Sequence, residues 1–228
     1  MYKHKKHLFF DLDHTLWDFD KNSGFAFDTI FKNHKLKISV QEFLKIYMPR
    51  NQYYWKLYQV NKISHEDLRY YRLKDVFDAL KFDISEDLIH QLSEDYITYL
   101  PEYNHLFDGA IELLEYLKPN YILHIITNGF SQVQDKKLTN SNIGHYFETI
   151  TNSEMAGQKK PNPIIFEYAL RVANASKEDS IMIGDSFEAD VLGALDFGMD
   201  AIYFNEGKIK VNHDVFQVSH LLELKNIL

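Results

Sequence analysis

The 228-residue chain contains no cysteine, and this absence excludes disulfide bonds, thiolate-based zinc sites, iron–sulfur clusters and thiol nucleophiles. Glycine and proline are scarce, at 9 and 5 residues, and no flexible linker, low-complexity tract or repeat divides the chain. No apolar run approaches the roughly 20 residues of a membrane span, and the apolar stretch before Asp11 is too short for a signal peptide. These absences predict a cytoplasmic protein that does not contact a membrane.

Positive charge is also in deficit, because 25 Lys and Arg stand against 33 Asp and Glu, which gives a net charge of −8. A nucleic-acid polymer requires a clustered basic face. The one basic cluster, three Lys and two His between Tyr2 and His7, is typical of a solvated tail. We therefore expect no nucleic-acid polymer as a partner. The hydrophobic fraction of 45% is typical of a globular protein, and the aromatic fraction is high at 15%.

Short apolar runs alternate with helical patterns over most of the chain. The runs predict strands at Leu8–Phe10, Tyr121–Ile126, Phe147–Thr151, Ser180–Gly184 and Ala201–Phe204. Helical periodicity between them predicts helices near Ile111–Leu117, Ser131–Thr139, Pro163–Val172 and Phe187–Leu195. This alternation predicts an α/β fold with a Rossmann-like parallel sheet that is covered by helices on both faces.

The first two predicted strands are separated by far more chain than a crossover helix requires. The intervening sequence has helical periodicity, with N-cap serines at Ser39, Ser64 and Ser85, and Pro49 is expected to end or kink the helix that begins near Ser39. We therefore predict a core domain of residues 1–17 and 104–228 and an inserted helical bundle, a cap domain, of residues 18–103. The insertion follows the carboxyl end of the first strand, where open parallel sheets bind ligands.

Polar residues follow three of the predicted strands. Asp11 and Asp13 follow the first strand, Thr127 follows the second, and Asp185 follows the fourth. A single aspartate in such a place usually caps a helix or begins a turn. Three carboxylates in one crevice repel one another, and a bound cation is the usual reason that such a cluster persists. Oxygen ligands without cysteine favour Mg²⁺.

The spacing of Asp11, Asp13 and Thr15 adds a second indication. Positions 11 and 13 project to the same side of an extended segment. One carboxylate is therefore able to act as a nucleophile while the other transfers protons, and Thr15 is expected to bond to the backbone of the turn between them.

These residues, together with Ile126-Thr127-Asn128, Lys160-Pro161 and the segment from Gly184 to Asp190, resemble the motifs of the haloacid dehalogenase-like hydrolase superfamily. All four short motifs of that superfamily occur in order between Asp11 and Asp190. The superfamily places a helical bundle cap directly after its first motif, at the position of the insertion in this chain. The resemblance implies a Mg²⁺-dependent phosphomonoester hydrolase.

The resemblance also implies roles for individual residues. Asp11 is the expected nucleophile that becomes an aspartyl phosphate, and Asp13 would protonate the leaving oxygen and then deprotonate water. Lys160 would offset charge on the phosphoryl group, whose oxygens would be bound by Thr127 and by the backbone of Asn128–Gly129.

For the metal, the resemblance implies ligation by the side chains of Asp11 and Asp185 and by the backbone carbonyl of Asp13. Asp190 would orient Lys160 or support the metal ligands. The dehalogenases of the superfamily lack an acidic residue two positions after the nucleophile, so that Asp13 favours phosphate chemistry over dehalogenation.

Two functions of other classes remain as alternatives. Signalling receiver domains accept a phosphoryl group on an aspartate at a strand end. They lack an inserted lid, and they lack a general acid at the position of Asp13. A non-catalytic binding protein on the same fold would have no need of the complete set Asp11, Asp13, Lys160 and Asp185.

The inserted segment is rich in aromatic and guanidinium groups. Aromatic residues at helical spacing usually fill the core of a bundle. The functional alternative is that some of them recognise a planar leaving group or a second anion. The candidate specificity residues are Arg50, Tyr54, Trp55, Arg69 and Arg72.

Within the superfamily, three stretches resemble a bacterial group of 5'-nucleotidases that act on pyrimidine or non-canonical nucleoside monophosphates. The stretches are Trp17–Asp20, the Tyr54-Trp55 pair and Asn61–Phe77. We therefore expect a small phosphorylated metabolite, a nucleoside monophosphate, as the partner of a monomer or weak dimer. Other subgroups with the same cap act on sugar phosphates, phosphoglycolate or acylneuraminate phosphates, and a phosphomutase type returns the phosphate to its product.

Overall fold

The computed structural model describes residues 2–228 and divides them into two compact units. The first unit contains the chain up to Asp18 and the segment His105–Leu228, and the second contains Phe19–Asn104. No helix within residues 2–228 has the length and apolar character needed to cross a membrane.

The first unit is built on one parallel sheet, which confirms the predicted fold class. Its strands are β1 (His7–Phe10), β2 (Ile122–Thr127), β3 (Phe147–Asn152), β4 (Ser180–Gly184), β5 (Asp200–Phe204) and β6 (Phe216–Val218). Their order across the sheet is β3-β2-β1-β4-β5-β6. The short edge strand β6 was not predicted, because three residues are too few for a readable pattern.

Strand β1 lies between β2 and β4, and Phe10 is in register with Ile125 on one side and with Ile183 on the other. All four residues of β1 are buried, as expected of a strand that is covered on both faces. The carboxyl ends of the three strands therefore meet at one edge of the sheet. The polar residues that follow these strands become neighbours at that edge.

Helices account for most of the remaining chain. In chain order, the α-helices are α1 (Phe19–Asn33), α2 (Val40–Gln59), α3 (His65–Ala79), α4 (Glu86–Tyr99), α5 (Ala110–Leu117), α6 (Ser131–Asn140), α7 (Ser153–Ala156), α8 (Pro163–Ala173) and α9 (Gly193–Phe197). Short 3₁₀ turns occupy Leu100–Glu102, Gly144–Tyr146 and Leu221–Asn226. The predicted helix Phe187–Leu195 begins as a π-helical turn, Phe187–Leu192, and α9 continues it.

The second unit consists of α1 to α4 and a short 3₁₀ turn. The predicted N-caps are confirmed, because Ser39, Ser64 and Ser85 each accept a hydrogen bond from the backbone N–H three residues later. Helix α2 does not end at Pro49, contrary to one of the two expectations for that residue. Proline removes a single backbone donor, and the burial of residues on α2 such as Phe43 and Tyr47 offsets this loss.

An aromatic cluster fills the interior of the second unit. The ring of Phe27 lies 4.6 Å from that of Tyr96 and 4.7 Å from those of Phe43 and Tyr47, measured between centroids. Phe31 joins the cluster 4.9 Å from Phe43. Such contacts stabilise a fold by about 0.5–1.5 kcal/mol each beyond the burial of area. Much of the unusual aromatic content is thus core.

Candidate active site

Asp11 continues β1 beyond its last regular residue. Its backbone N–H donates to the carbonyl of Ile183 at 2.9 Å, which holds Asp11 beside the end of β4. Asp11 is only 7% exposed, and Leu12 beyond it is fully buried. The chain then turns at His14, which has a positive φ of 63°, and the N–H of Trp17 returns to the carbonyl of Leu12. The buried carboxylate of Asp11 thus lies at the end of β1, directly before a tight turn.

Lys160 lies at the centre of the site. Its side chain is 2% exposed, and its ammonium group is 2.5 Å from Asp11 Oδ1 and 2.6 Å from Asp190 Oδ1. The same group donates to the carbonyl of Ile126, near the end of β2, at 2.6 Å. Burial disfavours the charged form, but the carboxylates of Asp11 and Asp190 outweigh it and raise the pKa of Lys160. Lys160 is therefore a fixed positive charge that joins the first, second and fourth motifs.

The side chain of Asn128 holds the backbone of Lys160 in place. Its Nδ2 donates to the carbonyl of Lys160 at 2.9 Å, and its Oδ1 accepts from the N–H of Lys160 at 2.7 Å. Beside it, the N–H of Gly129 donates to Thr127 Oγ1 at 3.0 Å. The residues predicted to bind phosphoryl oxygens thus form a bonded loop between β2 and α6. The Asn128 side chain has a structural contact that the sequence did not reveal.

The fourth motif is bonded to the first through Thr15. The hydroxyl of Thr15 accepts from the N–H of Asp185 at 3.1 Å and lies 3.4 Å from Asp185 Oδ1. The sequence had instead predicted that Thr15 bonds to the backbone of the turn between Asp11 and Asp13.

Asp190 approaches β4 because Gly184 has no side chain. A Cβ at Gly184 would lie 2.2 Å from Asp190 Oδ2, which is too close for any other residue. That carboxylate oxygen also accepts from the N–H of Ser186 at 3.0 Å. The glycine in this motif therefore permits Asp190 to reach Lys160.

Three carboxylates crowd together at the edge of the sheet. One oxygen from each of Asp11, Asp185 and Asp190 lies within 4.8 Å of the other two. Burial raises the pKa of Asp11 to about 7, with Lys160 opposing the shift and Asp190 adding to it. Burial, followed by the charges of Asp11 and Asp190, raises the pKa of Asp185 well above its usual range. A single ammonium group therefore does not balance the negative charge of this acidic group.

This acidic group fits a divalent cation. Its donors are carboxylate oxygens without sulfur or imidazole, which is the donor set that Mg²⁺ prefers. A cation would also offset the burial and the repulsion that together raise the pKa of Asp11 and Asp185. Asp190 belongs to this group by its carboxylate, whereas the carboxylate of Asp13 is bonded to other partners.

Those partners are two residues of α6 that sequence reasoning missed. Lys137 Nζ lies 2.5 Å from Asp13 Oδ1, and Gln134 Nε2 donates to Asp13 Oδ2 at 2.8 Å. A signal for them exists in the sequence, because Val133 and Leu138 mark one face of the helix as buried. Gln134 and Lys137 share that face at helical spacing, where an unpaired polar residue would be costly.

The five candidate specificity residues of the second unit have different partners. Tyr54 donates to Asp75 at 2.7 Å, and Arg50 lies 3.9 Å from the same carboxylate. Trp55 contacts the ring of Tyr58, and Arg69 is bonded to Ser93 and paired with Glu94.

Arg72 is different from the other four because it is buried, at 2% exposure, and pairs with no carboxylate in the described part of the chain. Its Nη1 donates to Asn51 at 3.2 Å, and its guanidinium carbon lies 5.0 Å from the centroid of the Tyr96 ring. Its Nε and Nη2 are buried and have no hydrogen-bond partner within residues 2–228. These two atoms form the edge of a guanidinium that donates two parallel hydrogen bonds.

Comparisons with known proteins agree with this geometry. The family model for haloacid dehalogenase-like hydrolases matches residues 5–198. The chain is 33% identical to the pyrimidine 5'-nucleotidase PynA of Streptococcus pneumoniae over 98% of this chain and 97% of that protein. It is 30% identical to the pyrimidine 5'-nucleotidase YjjG of Escherichia coli over 97% of this chain and 96% of that protein.

Among solved structures, the magnesium-bound HAD-hydrolase YfnB of Bacillus subtilis superposes with a TM-score of 0.87 and 28% identity, covering 98% of both chains. The matched segment includes all four motifs, and the predicted resemblance is confirmed. The chain belongs to the haloacid dehalogenase-like hydrolase family.

Proposed function

We propose that this phosphatase is a Mg²⁺-dependent phosphomonoester hydrolase that forms an aspartyl phosphate on Asp11. The observation that carries the proposal is the buried Asp11 carboxylate, 2.5 Å from Lys160 and within the acidic group that it forms with Asp185 and Asp190. Asp13 stands two positions further on, as phosphate chemistry in this family requires. The magnesium in the similar structure of YfnB supports the choice of metal.

The reaction has two steps, and both use Asp11 and Asp13. In the first, a carboxylate oxygen of Asp11 attacks phosphorus while the bond from phosphorus to the ester oxygen breaks. Asp13 gives its proton to that oxygen, and the alcohol leaves. In the second, Asp13 takes a proton from water as the water oxygen bonds to phosphorus. The bond from Asp11 to phosphorus then breaks, which releases phosphate and restores both carboxyl groups.

Other residues hold the phosphoryl group and balance its charge. Lys160 supplies a fixed positive charge next to Asp11, and Thr127 and the backbone of Asn128–Gly129 donate to the phosphoryl oxygens. Mg²⁺, held by Asp11, Asp185 and the backbone carbonyl of Asp13, would supply the remaining positive charge that phosphoryl transfer requires.

Binding of Mg²⁺ is expected to stabilise the fold, because the cation offsets the repulsion among the three carboxylates. At a concentration a hundredfold above its dissociation constant, Mg²⁺ should raise the Tm by about 5 °C or more. Asp185→Asn should lose most of this shift, and thermal unfolding with and without Mg²⁺ measures it. Asp196→Asn, which changes an exposed aspartate, is the matched control. An undiminished shift in Asp185→Asn would remove Asp185 from the metal site.

For the substrate, we propose nucleoside monophosphates with a preference for pyrimidines. Two relatives that match over nearly their whole length are named pyrimidine 5'-nucleotidases. Of the candidate specificity residues, Arg72 is the strongest, because its buried Nε and Nη2 have no hydrogen-bond partner among residues 2–228, and this edge of a guanidinium suits two adjacent acceptor atoms.

A phosphate-release screen is expected to give the highest kcat/KM with pyrimidine monophosphates, above purine monophosphates, sugar phosphates and phosphoglycolate. Arg72→Lys keeps the charge but removes the two parallel N–H donors of the guanidinium. It should therefore raise KM for the preferred nucleotide more than for p-nitrophenyl phosphate. Arg171→Lys, on the surface of the first unit, is the control. Higher kcat/KM with sugar phosphates would overturn the nucleotidase assignment without affecting the phosphatase assignment.

A further inference from the structure

Both oxygens of Asp13 are occupied by donors from a single helix. Lys137 Nζ lies 2.5 Å from Oδ1, and Gln134 Nε2 donates to Oδ2 at 2.8 Å. The two donors are three residues apart on α6, so they project from the same face of the helix. The Asp13 carboxylate is therefore held in one orientation from one side.

Lys137 is placed by its surroundings to make this contact. The side chain is 2% exposed, its ammonium group lies 4.2 Å from the centroid of the Trp17 ring, and its carbonyl accepts from the hydroxyl of Ser141. A buried ammonium group is costly unless a carboxylate is close and well oriented, and Asp13 provides that carboxylate. Gln134 is equally buried, and its amide packs against Gly129, where a Cβ would lie 1.5 Å from Nε2.

Each of the two aspartates of the first motif thus has its own lysine. Lys160 comes from the loop before α8 and contacts Asp11, whereas Lys137 comes from α6 and contacts Asp13. The side chain of Asp13 is about one-fifth exposed, so hydrogen bonds are needed to hold it in one rotamer. Lys137 and Gln134 supply these bonds, one to each carboxylate oxygen.

We propose that Lys137 and Gln134 are positioning residues that fix the Asp13 carboxylate for proton transfer to the leaving oxygen and from water. This inference rests on the proposed function, since it assumes that Asp13 transfers those protons. Lys137 and Gln134 contact the Asp13 carboxylate, and their role is to act through it. Misplacing a catalytic group by about 1 Å costs on the order of 100-fold in rate, and this sets the expected effect.

A double-mutant cycle tests the inference. Lys137→Met is expected to lower kcat by about 100-fold with little change in KM, because substrate binding does not use Asp13. In an Asp13→Asn background, the same change should cost less than about twofold, since nothing remains for Lys137 to position. The rates are measured as single turnovers of p-nitrophenyl phosphate with Mg²⁺ and excess enzyme, because Asp13→Asn is slow.

The controls are the neighbours on the exposed side of the helix, Lys136→Met and Gln132→Leu, which should behave as the wild type does. If Lys137→Met melts below the assay temperature, the same cycle is run with Gln134→Leu, which removes the donor to Oδ2 only. Lys137→Arg should recover part of the rate because it restores a donor.

Equal losses from Lys137→Met in the wild-type and Asp13→Asn backgrounds would overturn the inference, since a structural effect is independent of Asp13. This outcome is distinct from failure of the proposed function. In that case the wild type would release no phosphate with Mg²⁺, or Asp13→Asn would retain the wild-type rate.

Discussion

Asp11→Asn is expected to lower phosphate release by at least about 10⁴-fold, because an amide oxygen is a poor nucleophile toward phosphorus. The fold should remain intact, and the metal-free variant should be more stable than the wild type. Burial raises the pKa of Asp11 to about 7, so the native structure disfavours the charged form that the unfolded chain adopts above pH 4. Between pH 4 and pH 7, the contribution of Asp11 therefore makes the folded state less stable as the pH rises. An asparagine at this position does not ionise and removes this destabilisation.

Three measurements check this result together. Steady-state assays with Mg²⁺ give the loss of rate, and thermal unfolding at pH 8 without metal gives the change in Tm. Acid-quenched wild-type enzyme should carry covalent phosphate that Asp11→Asn lacks. Asp196→Asn again serves as the control, since it removes an exposed carboxylate. Turnover near the wild-type rate in Asp11→Asn would exclude Asp11 as the nucleophile.

The sequence was sufficient to predict the edge of the sheet where the site lies. An apolar run that ends in a polar residue defines both a buried strand and the direction of its carboxyl end, and this pattern located Asp11, Thr127 and Asp185. The N-caps at Ser39 and Ser85 were equally predictable, because a cap depends on only three or four consecutive residues.

Contacts between distant segments were not predictable in the same way. Thr15 bonds to Asp185, 170 residues away, and the Asn128 side chain bonds to the backbone of Lys160, 32 residues away. The pairing of Asp13 with Lys137 depends on the position of α6 against the turn after β1. Helical periodicity indicates that Lys137 is buried, but only the folded chain shows which carboxylate it contacts.

The second unit shows a related limit. Its aromatic residues were expected to form core, and Phe27, Phe43 and Tyr96 do so. Periodicity alone did not distinguish Arg72 from Arg50. Arg72 is buried and bonded to Asn51, whereas Arg50 is half exposed and lies near Asp75. The distinction depends on how α2 and α3 pack, and this is a property of the tertiary structure.

Lys160→Met is expected to lower kcat by about 1000-fold, because it removes the ammonium group 2.5 Å from Asp11, the proposed nucleophile. It should also destabilise the fold, by about 3–5 kcal/mol for a buried ion pair that loses one partner. The wild-type structure raises the pKa of Lys160 through Asp11 and Asp190, so the folded state stabilises the ammonium form at neutral pH. Methionine has similar length but leaves those carboxylates uncompensated.

Lys159→Met is the matched control, because it changes the adjacent, partly exposed lysine. It should retain nearly the wild-type rate and Tm, and this result would assign the catalytic role to the lysine before Pro161. The two variants should also respond differently to Mg²⁺. Without Lys160, the cation would offset charge of Asp11, Asp185 and Asp190 that the lysine offsets in the wild type, so Mg²⁺ should raise the Tm of Lys160→Met more than that of the wild type. A smaller rise would show that Lys160 assists metal binding rather than competing with the cation for the same carboxylates.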